Sequence, residues 1–300
     1  MIEAGPPAGF GALAASGLRA AEPAGVVGNV ERSSSPAGDG RALRACVEGG
    51  AGLVIAVGPL VENAVDAIAV THPAQRFAVV DGSIQSLTHR PPNVTGLIFK
   101  AEQAGYLAGY GAGLWLRANR VPARRIAGAV GGLDVPPTDR YLAGFRYGVL
   151  QADPKAKVQI DFAEGAGNRS DCAKTALDEI HGGAAVVLAA ADGACAEGIL
   201  GAVRTKHSFA VVTDTEPASA GAWLLGSAVK RVDVVVRAAI LAYRAGRLHG
   251  GTDIPYGVAQ DGVGYGAWSP VVPGWIRRAV ANRLRLLKAG RLGVVPAALS

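Results

Sequence analysis

Acidic side chains follow four short apolar segments that the sequence predicts to be buried strands. Asp81, Asp134, Asp192 and Asp214 each come directly or shortly after such a segment, and a fifth segment ends at Gly58. In a parallel α/β sheet the ligand crevice lies beyond the carboxyl ends of the strands. Carboxylates gathered there favour a neutral, polyhydroxylated ligand over an anion, because hydroxyls donate hydrogen bonds to carboxylates. Taken singly, each aspartate is more typical of a turn or a helix N-cap.

Lys230 is a further candidate, because the sequence places it where a cation is unfavourable. Ser227 resembles a helix N-cap, which would put Lys230 and Arg231 in the first turn, near the positive end of the helix dipole. A residue that breaks a local rule often serves a site. The other interpretation is a long side chain that extends into water, at a cost of about 0.3 to 1 kcal/mol. Both interpretations remain open on these grounds.

The sequence carries no pattern of catalytic or metal-binding residues. Its histidines have neither HxxxH nor HxH spacing, and GxSxG and GxxxxGK[ST] motifs are absent. Gly128, Gly131 and Gly132 follow a predicted strand without forming GxGxxG. We therefore predict a protein that is not an enzyme and needs no cofactor or metal.

Predicted strands and helices alternate along the chain. The strands are short apolar runs bounded by Gly, Pro or Asp, and segments with helical spacing separate most of them. The predicted strands are 25–32, 53–57, 77–80, 96–99, 126–130, 158–162, 185–189 and 209–212. The predicted helices are 39–48, 61–70, 102–117, 140–151, 170–180, 194–205, 232–243 and 274–289. This alternation predicts an α/β protein with parallel sheets and helices on both faces.

The length of 300 residues predicts two lobes rather than one. The polar, Pro-containing segment 119–125 joins a long helix to a new strand and marks a boundary. The apolar stripe from Val232 to Tyr243 has no predicted strand beside it, so we expect this helix to return to the first lobe. We assign residues 1–119 and 227–250 to the first lobe and residues 120–226 and 251–300 to the second.

Composition and charge restrict the class of protein further. Half of the residues are apolar, 18% are charged, and the mean hydropathy is +0.25. These values exclude disordered, collagen-like and coiled-coil chains. The formal net charge of +6 is scattered along the chain, so it does not indicate a nucleic-acid partner. No apolar run reaches the roughly 18 residues that a membrane span needs.

The cysteines and the N-terminus bear on the cellular compartment. Cys46, Cys172 and Cys195 lack CxxC spacing, and their odd number argues against a disulfide framework, so we expect buried free thiols. The first twenty residues carry Glu3 and no uninterrupted apolar run. They therefore do not predict a secretory signal, and no lipid-attachment cysteine follows them.

Several segments resemble one family, the basic membrane proteins or PnrA-like substrate-binding proteins of ABC transporters. The similarity extends over about residues 5 to 290, and the order and spacing of its segments make it specific. The segments that carry it are 57–58, 77–82 (FAVVDG), 92–100 (PNVTGLIFK), 107–109 (LAG), 131–137 (GGLDVPP), 143–145 (AGF) and 227–233 (SAVKRVD).

The resemblance implies a type I periplasmic-binding-protein fold. That fold has two doubly wound parallel-sheet lobes, three hinge crossings and an interlobe ligand cleft. Family members of known activity bind purine nucleosides, holding the base between aromatic rings and the ribose with acidic side chains and a lysine. By motif position, Asp81, Asp214 and Lys230 are the polar candidates and Phe10 is the ring contact. The family also implies an ABC permease as partner and an extracytoplasmic location as a membrane-associated lipoprotein.

The N-terminal loop departs from the family pattern. Near the N-terminus the family pattern is similar to D-x-x-F-N-D followed by a glycine. In this sequence Phe10 and Gly17 keep the spacing of the phenylalanine and the glycine in that pattern. Pro7, Gly11 and Ala12 stand where the acid, the amide and the second acid belong. A polar site loses affinity when its partners are deleted, so we expect weaker nucleoside binding or a changed ligand. The family's first strand is also nearly absent, since only residues 1–4 precede the loop.

Three functions remain open from the sequence. The first is an ABC-transporter solute-binding protein that holds a nucleoside-like small molecule between two lobes, without catalysis, nucleic acid or a membrane span. The second is a cytoplasmic ligand-sensing regulator of the same fold, suggested by the missing export signal and the altered first loop. The third, a Rossmann-like enzyme, has only the fold class in its favour.

Overall fold

The chain folds into two compact α/β units in a computed structural model. The structure describes residues 2–4, 9–33, 35–119, 125–164, 167–214 and 221–299. The first unit consists of Met1–Phe99 and Arg231–Tyr256, and the second of Lys100–Lys230 and Gly257–Ser300. The chain therefore passes from one unit to the other three times.

The first unit is built on a six-stranded sheet with the order β11-β5-β4-β3-β1-β2, in which every neighbouring pair is parallel. Its elements are β1 (Ile2–Ala4), α1 (Phe10–Arg19), β2 (Glu31–Ser33), α2 (Pro36–Glu48), β3 (Leu53–Val57), α3 (Glu62–Thr71), β4 (Arg76–Val80), β5 (Val94–Phe99), α8 (Val232–Arg244) and β11 (Thr252–Tyr256).

Two pairs of helices cover this sheet. The central strands are apolar on both faces, as strands of a covered parallel sheet are. Val54 and Phe77 belong to the cluster that packs beneath α2 and α3. The helices α1 and α8 pack against one another and α8 contacts β3 and β4, so α8 is part of the first unit.

The second unit repeats this plan with the strand order β12-β10-β9-β8-β6-β7. All neighbouring pairs are parallel except β10 with β12. Its elements are α4 (Ala101–Asn119), β6 (Ile126–Gly131), α5 (Pro136–Ala152), β7 (Lys157–Phe162), α6 (Arg169–His181), β8 (Ala184–Ala190), α7 (Gly193–Thr205), β9 (Phe209–Asp214), β10 (Leu224–Lys230), β12 (Val263–Tyr265) and α9 (Gly274–Lys288). The predicted α/β class with parallel sheets is confirmed.

The unit boundaries differ from those drawn on the sequence. The sequence placed them after residues 119, 226 and 250, whereas the compact units divide after Phe99, Lys230 and Tyr256. The helix α4 accounts for the first difference, because it packs closely against α5 of the second unit. A Cβ on Gly109 would lie 2.1 Å from the carbonyl oxygen of Phe145, and one on Gly144 would lie 2.0 Å from that of Glu102. These glycines let the two helix backbones approach one another, which the segment 119–125 does not reveal.

The strand predictions need three corrections. The predicted strand 25–32 is paired only over Glu31–Ser33, and the preceding residues form a short 3-10 turn and irregular backbone. The strands β10, β11 and β12 were not predicted. The first strand, expected to be nearly absent, is present as Ile2–Ala4, paired in parallel with both β2 and β3.

The expectation of three free thiols is wrong for two of them. Cys172 on α6 and Cys195 on α7 form a disulfide, and Cys46 is the free, buried cysteine. The odd number of cysteines argued against disulfides, but it does not prevent two of the three from pairing. The bond forms because α6 and α7, which a strand separates in sequence, pack side by side in the fold. Both half-cystines are buried with the apolar cluster beneath these helices.

Candidate functional site

Two aspartates occupy matching positions in the two sheets. The strand orders correspond, so β4 of the first sheet is the counterpart of β9 in the second. Asp81 follows β4 directly, and Asp214 is the last residue of β9. Both have left-handed backbone conformations, with φ of 63° and 62°, which is uncommon outside glycine. Each unit thus has one buried aspartate at the carboxyl end of the third strand in its sheet order, β4 in the first unit and β9 in the second.

Asp214 belongs to a cluster with Lys230 and Tyr141 in the second unit. The Lys230 ammonium lies 3.5 Å from Asp214 Oδ1 and 4.8 Å from the centre of the Tyr141 ring. The Tyr141 hydroxyl donates to Asp214 Oδ1 at 2.9 Å and also approaches the Ala228 carbonyl oxygen at 3.3 Å. The adjacent strand ends β9 and β10 and the first turns of α5 bring the three side chains together. Of the acids predicted for this unit, Asp214 is the one paired with Lys230.

Burial makes this cluster unusual. Lys230 is 3% exposed, Tyr141 is 2% exposed and Asp214 is 8% exposed. Removing an ammonium group from water costs several kcal/mol, and an opposite charge with good hydrogen bonds is needed to offset that cost. Asp214 and the aromatic face of Tyr141 provide part of that compensation. A lysine held in this way presents fixed donors to a neighbouring hydroxyl or carbonyl group.

The sequence selected Lys230 for a reason that is wrong. Ser227 is a residue of β10 and not an N-cap, and α8 begins only at Val232. Lys230 ends the strand, so its ammonium does not oppose a helix dipole. Gly226, just before Ser227, allows close packing within this strand, since a Cβ there would lie 2.3 Å from the Tyr265 hydroxyl oxygen.

In the first unit, two further acids hold the loop that follows Asp81. The Ser83 amide donates to Glu62 Oε1 at 2.9 Å, while the Ser83 hydroxyl donates to Asp253 Oδ2 at 2.7 Å. The Ile84 amide donates to Asp253 Oδ1 at 2.9 Å. Burial raises the pKa of the Glu62 carboxyl, which the hydrogen bonds from Ser83 and Ser86 partly oppose. This network fixes the strand-end loop that carries Asp81.

Phe10 is placed at the start of α1. Its ring meets that of Phe99 edge to face, with centroids 6.3 Å apart and planes at 72°. Gly11 and Ala12 follow in the first turn and offer no polar side chain. Pro7, the third departure from the family loop, lies outside the described residues. The aromatic pair leaves the Phe10 ring half-buried.

Asp134 and Asp192 lie at exposed positions near the carboxyl ends of β6 and β8. Asp192 stands at the N-cap position of α7, but its side chain makes no capping hydrogen bond there. The two loops approach one another, because a Cβ on Gly132 would lie 2.8 Å from that of Ala191. Neither aspartate has the burial that distinguishes Asp81 and Asp214.

Sequence reasoning missed three residues that shape these strand ends. Tyr141 is one of a run of buried helix residues, so its spacing is that of a core position. Glu62 opens α3, where an acid is common. Asp253 lies on β11, which was not predicted, and a Cβ on its pair partner Gly96 would be only 2.0 Å from Asp253 Oδ1. The sequence signal that could have indicated this contact is the glycine at position 96 in a predicted strand.

These residues can make hydrogen bonds and aromatic contacts with a ligand. They provide carboxylate acceptors, an ammonium donor, a phenol and aromatic faces. Within the described ranges, no group of three or more metal-ligating side chains occurs. Of the helices described, none has the length and apolar character needed to cross a bilayer.

Two curated proteins are similar to this chain over more than two thirds of its length. The CD4+ T-cell-stimulating antigen of Listeria monocytogenes is 28% identical over 253 residues, covering 79% of this chain and 68% of that protein. The ABC transporter nucleoside-binding protein BmpA of Lactococcus lactis is 24% identical over 234 residues, covering 71% of this chain and 63% of that protein.

Solved structures share the fold. An ABC transporter solute-binding protein from Aeropyrum pernix aligns with a TM-score of 0.80 and 23% identity over 98% of this chain and 92% of that chain. A transcriptional activator of the comK gene from Bacillus halodurans aligns with a TM-score of 0.75 and 19% identity over 96% of both chains. At these identities the likeness establishes the fold alone.

The family assignment rests on a match along most of the chain. Residues 10–273 match the family described as PnrA-like ABC transporter substrate-binding proteins. That range contains Asp81, Asp214, Tyr141 and Lys230 and every strand of both sheets except β1. The chain therefore belongs to the PnrA-like family of ABC transporter substrate-binding proteins, as its sequence segments indicated.

Proposed function

We propose that this chain binds a nucleoside-like small molecule, delivers it to an ABC permease and performs no chemistry on it. The buried Lys230 ammonium, held 3.5 Å from Asp214 and over the Tyr141 ring, is the observation that carries this proposal. A purely structural lysine would normally extend its ammonium into water. Its burial at a strand's carboxyl end is instead typical of a polar group kept ready for a ligand.

The donor and acceptor set suits a ribose. Asp214 accepts hydrogen bonds and Lys230 donates them, so vicinal hydroxyls can bind to both. Asp81, in the matching position of the first sheet, is the second proposed acceptor. Phe10 is proposed to contact the base, and Asp134 and Asp192 to act at the exposed border of the site. The relative named a nucleoside-binding protein supports this ligand class.

The altered first loop is expected to lower affinity. Gly11 and Ala12 supply no side-chain hydrogen bond where the family pattern has an amide and an acid. A missing hydrogen bond to a neutral group costs about 0.5 to 1.5 kcal/mol each. We therefore expect this chain to bind nucleosides more weakly than members that retain the full loop.

We further propose an extracytoplasmic location. The Cys172–Cys195 disulfide supports it, because disulfides persist mainly in oxidising compartments. Relatives from two Pyrococcus species are named lipoproteins, which agrees with a role outside the cytoplasm.

Titration calorimetry with adenosine, guanosine and inosine tests the proposed ligand class, with the free bases and ribose as matched controls. We expect saturable heat with at least one nucleoside and weaker binding of its separate halves. An absence of heat with every nucleoside at about 1 mM would contradict the proposal. Chromatography of the ligand recovered after binding tests the claim that the chain performs no chemistry on it. A nucleoside that had been converted to a product would show that the chain is an enzyme.

A cytoplasmic regulator is the second candidate. The fold shared with a transcriptional activator favours it. Fractionation of the native cells distinguishes the two functions. A membrane-attached or secreted pool with the disulfide formed supports transport, and a cytosolic pool with three reduced thiols supports regulation.

A further inference from the structure

The first unit contains a cavity of about 550 Å³ away from the strand ends discussed above. It lies at the amino-terminal end of β3, where Gly52, Leu53 and Ile55 line it. Asp81 lies instead at the carboxyl end of the neighbouring strand β4. The cavity is therefore a separate site on the opposite edge of the same sheet, and its volume is within the range of about 300 to 1,000 Å³ typical of small-molecule sites.

Much of the cavity wall is apolar. Leu18 of α1, Ile55 of β3 and Ile240 of α8 line it, and Val26 belongs to the segment between α1 and β2; the adjacent Val27 borders the cavity with a fully exposed side chain. Cys46 of α2 adds a buried thiol. Burial raises the pKa of this thiol, so it is neutral and contributes an apolar surface.

Among the residues described, the lining has three polar side chains, Tyr243 and Arg244 at the end of α8 and Asn29, whose amide donates to Glu31 Oε1. Tyr243 and Arg244 both line the cavity, and the described lining contains no aspartate or glutamate. In the part of the chain that the structure describes, neither the Tyr243 hydroxyl nor the Arg244 guanidinium makes a hydrogen bond or ion pair. The exposed Arg244 guanidinium is the charged side chain among the described lining residues, and beside apolar walls it is complementary to a ligand with a single negative charge.

A glycine lets the backbone approach the Tyr243 hydroxyl. A Cβ on Gly52 would lie 2.6 Å from that oxygen, whereas one on Gly25 would lie at an ordinary contact distance of 3.5 Å from the Arg244 guanidinium. Gly25 also has a left-handed φ of 75°, which disfavours other residues. The backbone thus passes close to both polar groups without side chains that would cover them.

We propose that this cavity binds a small amphipathic monocarboxylate. Its aliphatic or aryl body packs against Leu18, Ile55 and Ile240. Its carboxylate accepts hydrogen bonds from the Arg244 guanidinium and the Tyr243 hydroxyl, the fork geometry of arginine being suited to two carboxylate oxygens. The assignment is independent of the nucleoside proposal, because no residue of the Asp214 cluster takes part.

Calorimetric titration of the full chain with octanoate tests this proposal. 1-Octanol is the control for the apolar body, and octylamine is the control for the sign of the charge. We expect saturable octanoate binding below about 1 mM and binding of the two controls at least about tenfold weaker. Octanoate that does not bind at about 5 mM, or octanol that binds equally well, would overturn the carboxylate assignment.

Two matched substitutions locate the binding. Arg244→Glu reverses the charge at an exposed helix end, so the variant is expected to fold, and its melting temperature checks this. It should weaken octanoate binding at least about tenfold. Arg247→Glu makes the same charge change three residues later, outside the cavity lining, and should leave octanoate affinity unchanged. Equal affinities of the folded Arg244→Glu variant and the unaltered chain would place the octanoate elsewhere and overturn the proposal.

Discussion

The Lys230 ammonium is buried away from water. It is 3% exposed, and its described ion-pair partner is Asp214. The desolvation cost of such a pair exceeds the modest gain of most surface salt bridges. Replacing a buried ion pair by apolar residues is often neutral or stabilising, which supports our proposal that these charges serve a ligand.

Replacing Lys230 by Met keeps the length of the side chain and removes the charge. If the ammonium donates a charged hydrogen bond to the ligand, Lys230→Met should weaken nucleoside binding by about 1.5 to 3 kcal/mol, roughly 10- to 150-fold. Calorimetry measures this change. The exposed Lys206 of the same unit provides the control, since Lys206→Met should leave affinity unchanged. A Lys230→Met variant that folds and binds within about twofold of the unaltered chain would show the lysine to be structural.

Glu179 predicts a pH-dependent stability. Burial, followed by the charge of Asp161, raises the pKa of this α6 carboxyl from 4.5 to about 8. Below the unfolded pKa the carboxyl is neutral in both states. Between the two values the unfolded chain releases a proton that the folded chain keeps, so the free energy of unfolding should fall as pH rises from about 4.5 to about 8.

Glu179→Gln should remove this dependence and raise stability at pH 8 relative to the unaltered chain. Urea denaturation at a series of pH values measures the effect. Asp178→Asn, at the exposed neighbouring position on the same helix, is the control and should keep the original slope. An identical slope in the Glu179→Gln variant would mean that this carboxyl is ionised in the folded protein.

The sequence predicted which aspartates lie at the strand ends, but it did not predict which side chains they contact. Asp81 and Asp214 were found because parallel strands end at a common edge, and that argument needs only the strand assignment. Tyr141 could not be found in this way, because its role depends on a hydrogen bond to a residue 73 positions later. Side-chain partners of this kind are set by tertiary packing.

At the scale of elements, a disulfide joins the helices α6 and α7. The Cys172–Cys195 bond closes a sequence separation of 23 residues, and α6 and α7 also share a buried apolar cluster. Cys195 lies beneath the loop after β6, since a Cβ on Gly132 would be 3.1 Å from its sulfur. The disulfide therefore supports the loop that leads to Asp134.

Removing this disulfide should destabilise the second unit. Loop-closure entropy for such a separation gives about 3 kcal/mol, so the Cys172→Ala/Cys195→Ala variant should lose about 2 to 4 kcal/mol in its free energy of unfolding. Urea denaturation measures the loss, and Cys46→Ala is the control that leaves the bond intact. A thiol titration of the denatured, unreduced chain should find one free thiol. Three free thiols would contradict the disulfide.

Helices were predicted more reliably than the late strands for a physical reason. The apolar stripes of α2 to α9 repeat over several turns, whereas β10 contains Gly226 and β11 contains Pro255. Gly226 makes room for the Tyr265 hydroxyl. The need for glycine at this position comes from a side chain that is distant in sequence. A prediction from the local sequence does not include that neighbour, so it assigns such a glycine to a turn.

At the scale of the whole molecule, the sequence predicted the repeated α/β plan and the return of α8 to the first unit. It did not place α4, because helical periodicity shows that a helix has an apolar face and not which unit that face packs against. The close contact between α4 and α5 through Gly105 and Gly109 decides the matter. The two matching strand orders account for paired acids at corresponding strand ends.

A crystal structure of the chain grown with inosine tests the central claim most directly. The claim predicts ribose hydroxyls within about 3.2 Å of the Lys230 ammonium and the Asp214 carboxylate, with the nucleoside intact. Inosine bound away from both side chains, or found cleaved, would contradict it.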